Sequence, residues 1–154
     1  MQLRPYRESD LCTLYQIDQA CFPPGVSYSR EELAGFIGHR GSKTWVAEAD
    51  GGIVGFLVAG REPRQVGHII TIDVVERWRR LGIGRALMHA VEQWAERQGL
   101  RLMYLETAAG NTTAQKFYAG LGYERFKKVE RYYSNGEAAW VMVKWLKERV
   151  KYKG

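Results

Sequence analysis

The sequence predicts an α/β fold (α+β by some schemes): a mixed, mostly antiparallel sheet of about seven strands with helices on both faces. Three observations carry this expectation. In the middle of the chain three strand signals follow one another across short turns, as in an antiparallel meander. The strongest amphipathic helix then separates two strand-like runs, a step that can only cross over between nearly parallel strands. Strand and helix patterns continue to alternate through the 154 residues, the length of one domain with a sizeable core.

Residues 2–7 read as a first strand. Ser9 or Asp10 is placed to cap the next helix, which carries Leu11, Leu14, Tyr15, Ile17 and Asp18 at helical spacing and ends at Cys21-Phe22-Pro23-Pro24-Gly25. Ser29-Arg30-Glu31-Glu32 is a capping box opening a second helix, with Leu33, Phe36 and Ile37 as its apolar face. Strands follow over 43–49, 52–60 and 66–75, the first two joined by Asp50-Gly51, a hairpin pair. The segment 84–98 is the strongest helix, because Ile83, Leu87, Ala90, Val91 and Trp94 recur at three- and four-residue steps. Gly99 suits its left-handed exit. A short apolar run over 100–107 fits a central strand. Thr112 or Thr113 opens a last helix bearing Ala114, Phe117, Tyr118 and Leu121, ended by Gly122. Strands over 123–131 and 138–146 close the chain around Ser134-Asn135-Gly136.

Composition narrows the functional class. Hydrophobic residues are 45% and charged residues 26% of the chain, the balance of a soluble globular protein. No apolar run approaches a membrane span, and MQLRPYRESD has no signal-peptide core. Cys12 and Cys21 are too few for a disulfide scaffold, so the expected setting is reducing and cytoplasmic. His39, His68 and His89 lack metal-ligand spacing, so no metal is expected. His68, near the expected cleft, is at most a proton relay. The net charge of +6 suits an anionic ligand, though solubility alone also explains it. No finger or RNA-binding motif supports nucleic acid. The basic segment 144–153 reads as a solvated end.

The arginines cluster at one informative place. Arg79-Arg80-Leu81-Gly82-Ile83-Gly84-Arg85 lies between a strand and the strongest helix. The first amides of a helix have no intrahelical acceptor, and the dipole there is positive. Glycines admit a phosphate to those amides, and arginines add charged donors. The loop suits a diphosphate. It is neither a dinucleotide fingerprint nor a P-loop, since the last glycine and the lysine are missing.

Arg79-x-x-Gly82-x-Gly84 resembles the acyl-CoA pyrophosphate loop, (Gln/Arg)-x-x-Gly-x-(Gly/Ala), of the GNAT N-acetyltransferases, and the element order follows that family throughout. Within it the chain most resembles the N-terminal protein acetyltransferases, of the ribosomal-protein alanine kind. Glu106, Asn111, Ala114 and Phe117-Tyr118 match the family's glutamate, asparagine and tyrosine spacing. Tyr132-Tyr133 resembles the tyrosine pair that grips peptide backbone, and Phe22-Pro23 with Val26 and Tyr28 resembles the loop lining the substrate N-terminus.

The resemblance implies a GNAT-type sheet and acetyl-CoA as co-substrate. It places the diphosphate on Arg79, Arg80, Leu81, Gly82, Ile83, Gly84 and Arg85, with Asn111 and Tyr118 also contacting the cofactor. It also implies a splayed strand near Val74 whose backbone holds pantetheine. The acceptor is then the N-terminal α-amine of a protein or peptide, attacked directly in a ternary complex with Glu106 as base and Tyr118 as acid.

The residues themselves leave alternatives open. Glu106 is otherwise a carboxylate paired with a lysine or arginine, and Tyr118 a packed ring. Two adjacent aromatics cannot share one helix face, so Phe117 is expected in the core and Tyr118 towards the cleft. Asn111 contacts pantetheine, caps the following helix, or both. Asp73, where the family is usually small or apolar, is expected at solvent or in a salt bridge, the alternative being a contact to the amine. Ile69 stands where eukaryotic relatives carry a tyrosine, and Pro24-Gly25 is an insertion. Competing readings are a small-amine or lysine acetyltransferase and a non-catalytic acyl-CoA sensor.

Overall fold

A computed structural model describes residues 1–147. Its strands are β1 (Gln2–Pro5), β2 (Ser42–Ala49), β3 (Gly52–Glu62), β4 (Val66–Val74), β5 (Leu102–Ala108), β6 (Glu124–Val129) and β7 (Ala139–Trp145). Its helices are α1 (Leu11–Cys21), α2 (Arg30–Gly38), α3 (Ile83–Arg97) and α4 (Thr112–Gly120). The strands form one sheet in the order β1-β2-β3-β4-β5-β7-β6, and only the β4–β5 pair is parallel. Among the described residues no helix is long and apolar enough to cross a membrane.

Burial on both faces explains the near-continuous apolar run in β3. Phe56 and Val58 meet Leu14, Ile17 and Leu33 of α1 and α2. Leu57 and Ala59 meet Leu87, Val91 and Trp94 of α3. The exit of α3 is tied by Gly99 and Leu100, whose amides donate to the carbonyls of Glu96 and Ala95. Edge strand β6 is exposed along most of its length and carries Arg125, Lys127 and Lys128, charges that discourage further strand pairing.

The described structure corrects several boundaries. The first strand stops at Pro5, and a short 3-10 turn over Glu8–Asp10 precedes α1. Neither Ser9 nor Asp10 supplies the expected cap, because α1 has no side-chain cap. The Asp10 carboxylate instead takes two bonds from the Arg4 guanidinium, at 2.8 and 2.9 Å, and one from the Arg7 amide. Strand β3 runs on to Glu62, two residues past its expected end. Lys144 does not begin a solvated end: it lies in β7 and bonds Glu92 at 2.7 Å. The rest of the expected basic tail, from residue 148 on, lies outside the described residues.

The ladder between β4 and β5 decides where the site lies. It has three rungs, Val66–Leu102, Gly67–Met103 and His68–Tyr104, and then ends. Beyond it β4 stays with β3 as far as Val74, and β5 stays with β7 as far as Ala108. The two central strands therefore part, leaving a cleft at their carboxyl ends.

Asp10 is buried, and its bond to Arg4 holds its carboxyl below the usual carboxylate range, with burial opposing. A depressed carboxyl stabilises the fold above its unfolded pKa, and that stability is lost as pH falls through its folded value. Asp10→Asn is expected to cost about 2 kcal/mol at pH 7. Urea unfolding should show the gap to the parent closing below roughly pH 4.

Candidate active site

The parting of β4 and β5 collects most of the residues that the sequence singles out. On β5 the pleat sends Met103 and Leu105 into the α3-side core and leaves Tyr104 and Glu106 half-buried on the other face. On β4 the expected splay near Val74 is present. Ile69 is buried in the α3-side core, so it is a packing residue.

Among the described residues Glu106 is not paired with a lysine or arginine. Its Oε2 lies 2.7 Å from His68 Nε2. The other ring nitrogen, Nδ1, lies 3.4 Å from Glu62 Oε2. Tyr104 stacks flat on the imidazole, with centroids 4.3 Å apart and planes 1° apart. Its hydroxyl reaches both Glu62 carboxylate oxygens, at 2.6 and 2.7 Å. Glu62 and Tyr104 were not legible as site residues. Glu62 falls where the sequence ends β3 in a turn, and Tyr104 looks like one more aromatic in an apolar run. The period-two alternation of β5 is the signal that places Tyr104 beside Glu106.

Three tyrosines lie near enough to Glu106 to feel its charge. Tyr28, between α1 and α2, donates to the carbonyl of Ile70 at 3.3 Å and packs edge-on against Phe36. Burial pushes its hydroxyl up, and nearby Tyr132, Glu106, Asp18 and Tyr133 push the same way. Tyr132 and Tyr133, between β6 and β7, sit edge-to-face at 4.8 Å. Both are pushed up, first by burial and then by neighbours that include Glu106.

The loops carrying these tyrosines are joined. Ser134 Oγ donates to the carbonyl of Gly25 at 3.2 Å, and Asn135 Nδ2 to that of Pro24 at 3.4 Å. Gly25 has φ +90°, and a Cβ there would lie 2.6 Å from that of Asn135. The Pro24-Gly25 insertion is thus the contact that closes one loop on the other. Phe22 and Val26 are half-buried in that loop and Pro23 is exposed. The carbonyl of Pro23 turns the segment by accepting from the Val26 and Ser27 amides.

On the other side, Arg79 to Arg85 lead into α3. Gly82 is its N-cap at φ +87° and supplies no side chain to the first amides. Ile83 is buried, so only its backbone faces the loop, whereas Arg80, Leu81 and Arg85 are exposed. Gly84 has a packing reason as well: a Cβ there would lie 3.2 Å from Phe117 Cζ. Arg79 braces β4, its Nε donating to the Val74 carbonyl at 2.9 Å and its Nη2 to Cys21 Sγ at 3.5 Å. Asn111 caps α4 by accepting from the Ala114 amide at 3.1 Å.

Two expectations are corrected. Tyr118 is the more buried member of its pair, held edge-on between Phe117 and Tyr123, while Phe117 is only partly covered. Burial, then Asp73 and Tyr133, pushes its hydroxyl up. Asp73 faces neither solvent nor a salt bridge. It is 1% exposed beneath α1, its Oδ1 bonded by Thr71, and it meets buried Asp18. Asp18 accepts from the Tyr28 amide at 2.8 Å. Among the described residues Asp18 Oδ1 and Asp73 Oδ2 have no hydrogen-bond partner, and burial beside Asp18 favours the protonated form of Asp73.

Comparison with known proteins agrees with this geometry. The model of the acetyltransferase (GNAT) family matches residues 11–123. The chain belongs to the GNAT family. It is therefore an acetyltransferase. An uncharacterized N-acetyltransferase of Methanocaldococcus jannaschii is 31% identical over 145 residues, covering 94% of this chain and 91% of that protein. An N-alpha-acetyltransferase of Sulfurisphaera tokodaii is 31% identical over 159 residues, covering 92% and 90%. The structure of Ard1 from Thermoplasma volcanium superposes with a TM-score of 0.86 at 26% identity, covering 96% of this chain and 98% of that one. This GNAT chain thus shares its overall fold with that structure.

The Asp18–Asp73 pair makes this GNAT domain sensitive to pH in the opposite sense to Asp10. Burial, then Asp18, raises the Asp73 carboxyl well above its ordinary value. A raised carboxyl stabilises the fold at low pH, and that contribution is lost as pH rises towards its folded value. Asp73→Asn keeps a donor towards Asp18 without the second charge. Thermal unfolding at pH 8 should show a gain of about 1 kcal/mol or more, shrinking towards pH 4.

Proposed function

We propose that this enzyme transfers acetyl from acetyl-CoA to the N-terminal α-amine of a protein or peptide. The observation that carries the acceptor assignment is the pair of joined loops. The contacts from Ser134 to Gly25 and from Asn135 to Pro24 close a roof over the cleft where Tyr28, Tyr132, Tyr133 and Glu106 converge. A chain end enters beneath such a roof, whereas a lysine within a chain needs a groove open at both ends. The relatives described as N-alpha-acetyltransferases support the same reading.

The residues present fit acetyl-CoA. The uncapped amides opening α3, with exposed Arg80 and Arg85, suit its diphosphate. The edge of β4 beyond His68 has no partner strand on the β5 side, which suits the amide groups of pantetheine. Bound there, acetyl-CoA supplies the thioester.

An α-amine has a pKa near 8, so a modest base suffices. Glu106, backed by His68, takes the amine proton as nitrogen bonds to the thioester carbon. The carbon–sulfur bond then breaks, and Tyr118 gives its proton to the departing thiolate. Its raised hydroxyl keeps that proton available across the working pH range. Phe22, Pro23, Val26 and Tyr28 line one wall of the acceptor groove, and Tyr132 and Tyr133 the other.

Acetyl-CoA turnover against free and N-acetylated peptides tests the acceptor. Peptides with a free N-terminus are expected to be acetylated, while blocked peptides containing lysine are not. Equal turnover of blocked peptides overturns the α-amine assignment. Tyr118→Phe is expected to lower kcat roughly a hundredfold, with CoA binding by calorimetry unchanged. An unaltered kcat removes Tyr118 from the acid role.

A further inference from the structure

We propose that Glu62 and Tyr104 form the outer half of the catalytic base, an outlet passing the amine proton from Glu106 through His68 to solvent. The inference rests on Glu106 accepting that proton in the first place.

The geometry has a direction. Glu106 Oε2 is 2.7 Å from His68 Nε2, and His68 Nδ1 is 3.4 Å from Glu62 Oε2. Side-chain exposure rises along the same path, from 14% at Glu106 to 20% at His68 and 38% at Glu62. The proton enters from the cleft and meets water at the far end of β3. Strand pairing sets this path. Gly60 pairs with His68 and Glu62 with Val66, which makes Glu62 and His68 diagonal neighbours across the β3–β4 ladder.

The chemistry of the cluster also calls for a passing charge. A neutral imidazole carries one N–H and serves only one carboxylate as donor, whereas an imidazolium serves two. An imidazole set between two carboxylates is therefore built for the moment when the ring is charged. Tyr104 holds that arrangement. Its ring fixes the imidazole plane by stacking, and its hydroxyl bonds both Glu62 oxygens. The other groups near enough to feel the charge of Glu106 are Tyr28, Tyr132 and Tyr133. These are phenols kept in their neutral form, so none of them takes the proton on.

The transfer balances. Glu106 receives a proton from the amine and shares it with Nε2. A second proton leaves Nδ1 for Glu62 and passes from there to water. The ring is left neutral with its hydrogen on Nε2 and Glu106 as a carboxylate; once the product has left, exchange with water at both ring nitrogens returns the hydrogen to Nδ1 for the next turnover. Glu62 and Tyr104 touch neither substrate nor thioester, so both are positioning residues.

The test uses the full chain, an acceptor peptide that the parent turns over, and N-methylimidazole, a small base that forms no stable amide. Glu62→Gln is expected to lower kcat about five- to tenfold at low buffer, with KM for acetyl-CoA unchanged. Added N-methylimidazole should restore kcat towards the parent, whose own rate stays independent of it. Tyr104→Phe keeps the stacked ring and frees Glu62, so it should show a smaller loss rescued by the same base. If Glu62→Gln loses activity without rescue, or loses none, the outlet is overturned. Glu106→Gln separates the two claims. Full turnover in that variant overturns Glu106 as base, whereas a dead Glu106→Gln beside an unrescued Glu62→Gln overturns the outlet alone.

Discussion

The organisation of this enzyme depends on where one ladder of backbone hydrogen bonds stops. Strands β4 and β5 share three rungs and separate after His68 and Tyr104. Had the ladder continued, the edge of β4 would be occupied and the cleft filled with sheet. Because it stops, the ends of two central strands are held open by their outer partners, β3 and β7. The last rung also sets His68 beside Tyr104 and, two residues on, Glu106 on the same face. Rigid backbone on both sides keeps these groups in place without help from a loop.

The same sheet holds carboxyls in contrasting electrical settings. Asp10 is buried against a guanidinium, which favours its charge. Asp73 is buried against another carboxyl, which opposes its charge. Glu106 has a histidine on one side and tyrosines on the other. Function and stability thus make different demands on three chemically equivalent side chains, and the neighbours decide each outcome. The Asp18–Asp73 pair is a standing electrostatic cost directly beneath the cleft, of the kind that enzymes carry near their sites rather than far from them.

Much of the fold was legible because its signals are local. The Ser29–Glu32 capping box, the apolar face of α3 and the Asp50-Gly51 turn each depend on residues close in sequence, and each appears where expected. The glycine-led start of α3 was legible for the same reason, being a strand, a glycine pair and a helix start in one stretch. What escaped was decided by partners distant in sequence. Asp10 looks like a helix cap until Arg4 arrives from β1. Asp73 looks like a surface charge until α1 covers it. The relation of Phe117 to Tyr118 is set by Gly84, which lets Phe117 approach α3, and no helical wheel of α4 contains that fact. Glu62 was hidden by two residues of strand that only pairing with Val66 reveals.

The joined loops have a consequence for how the enzyme comes into being. Ser134 and Gly25 are 109 residues apart in the chain, and Asn135 and Pro24 are 111 apart. The stretch 79–85 and the start of α3, by contrast, are contiguous. Contacts closing long stretches of chain carry the larger loop-closure entropy and form after local ones have reduced the search. On a growing polypeptide the stretch 79–85 and α3 emerge together, whereas the contacts that join the two tyrosine-bearing loops must wait for the β6–β7 hairpin. One wall of the cleft is thus written locally, and the other exists only when distant parts of the chain meet.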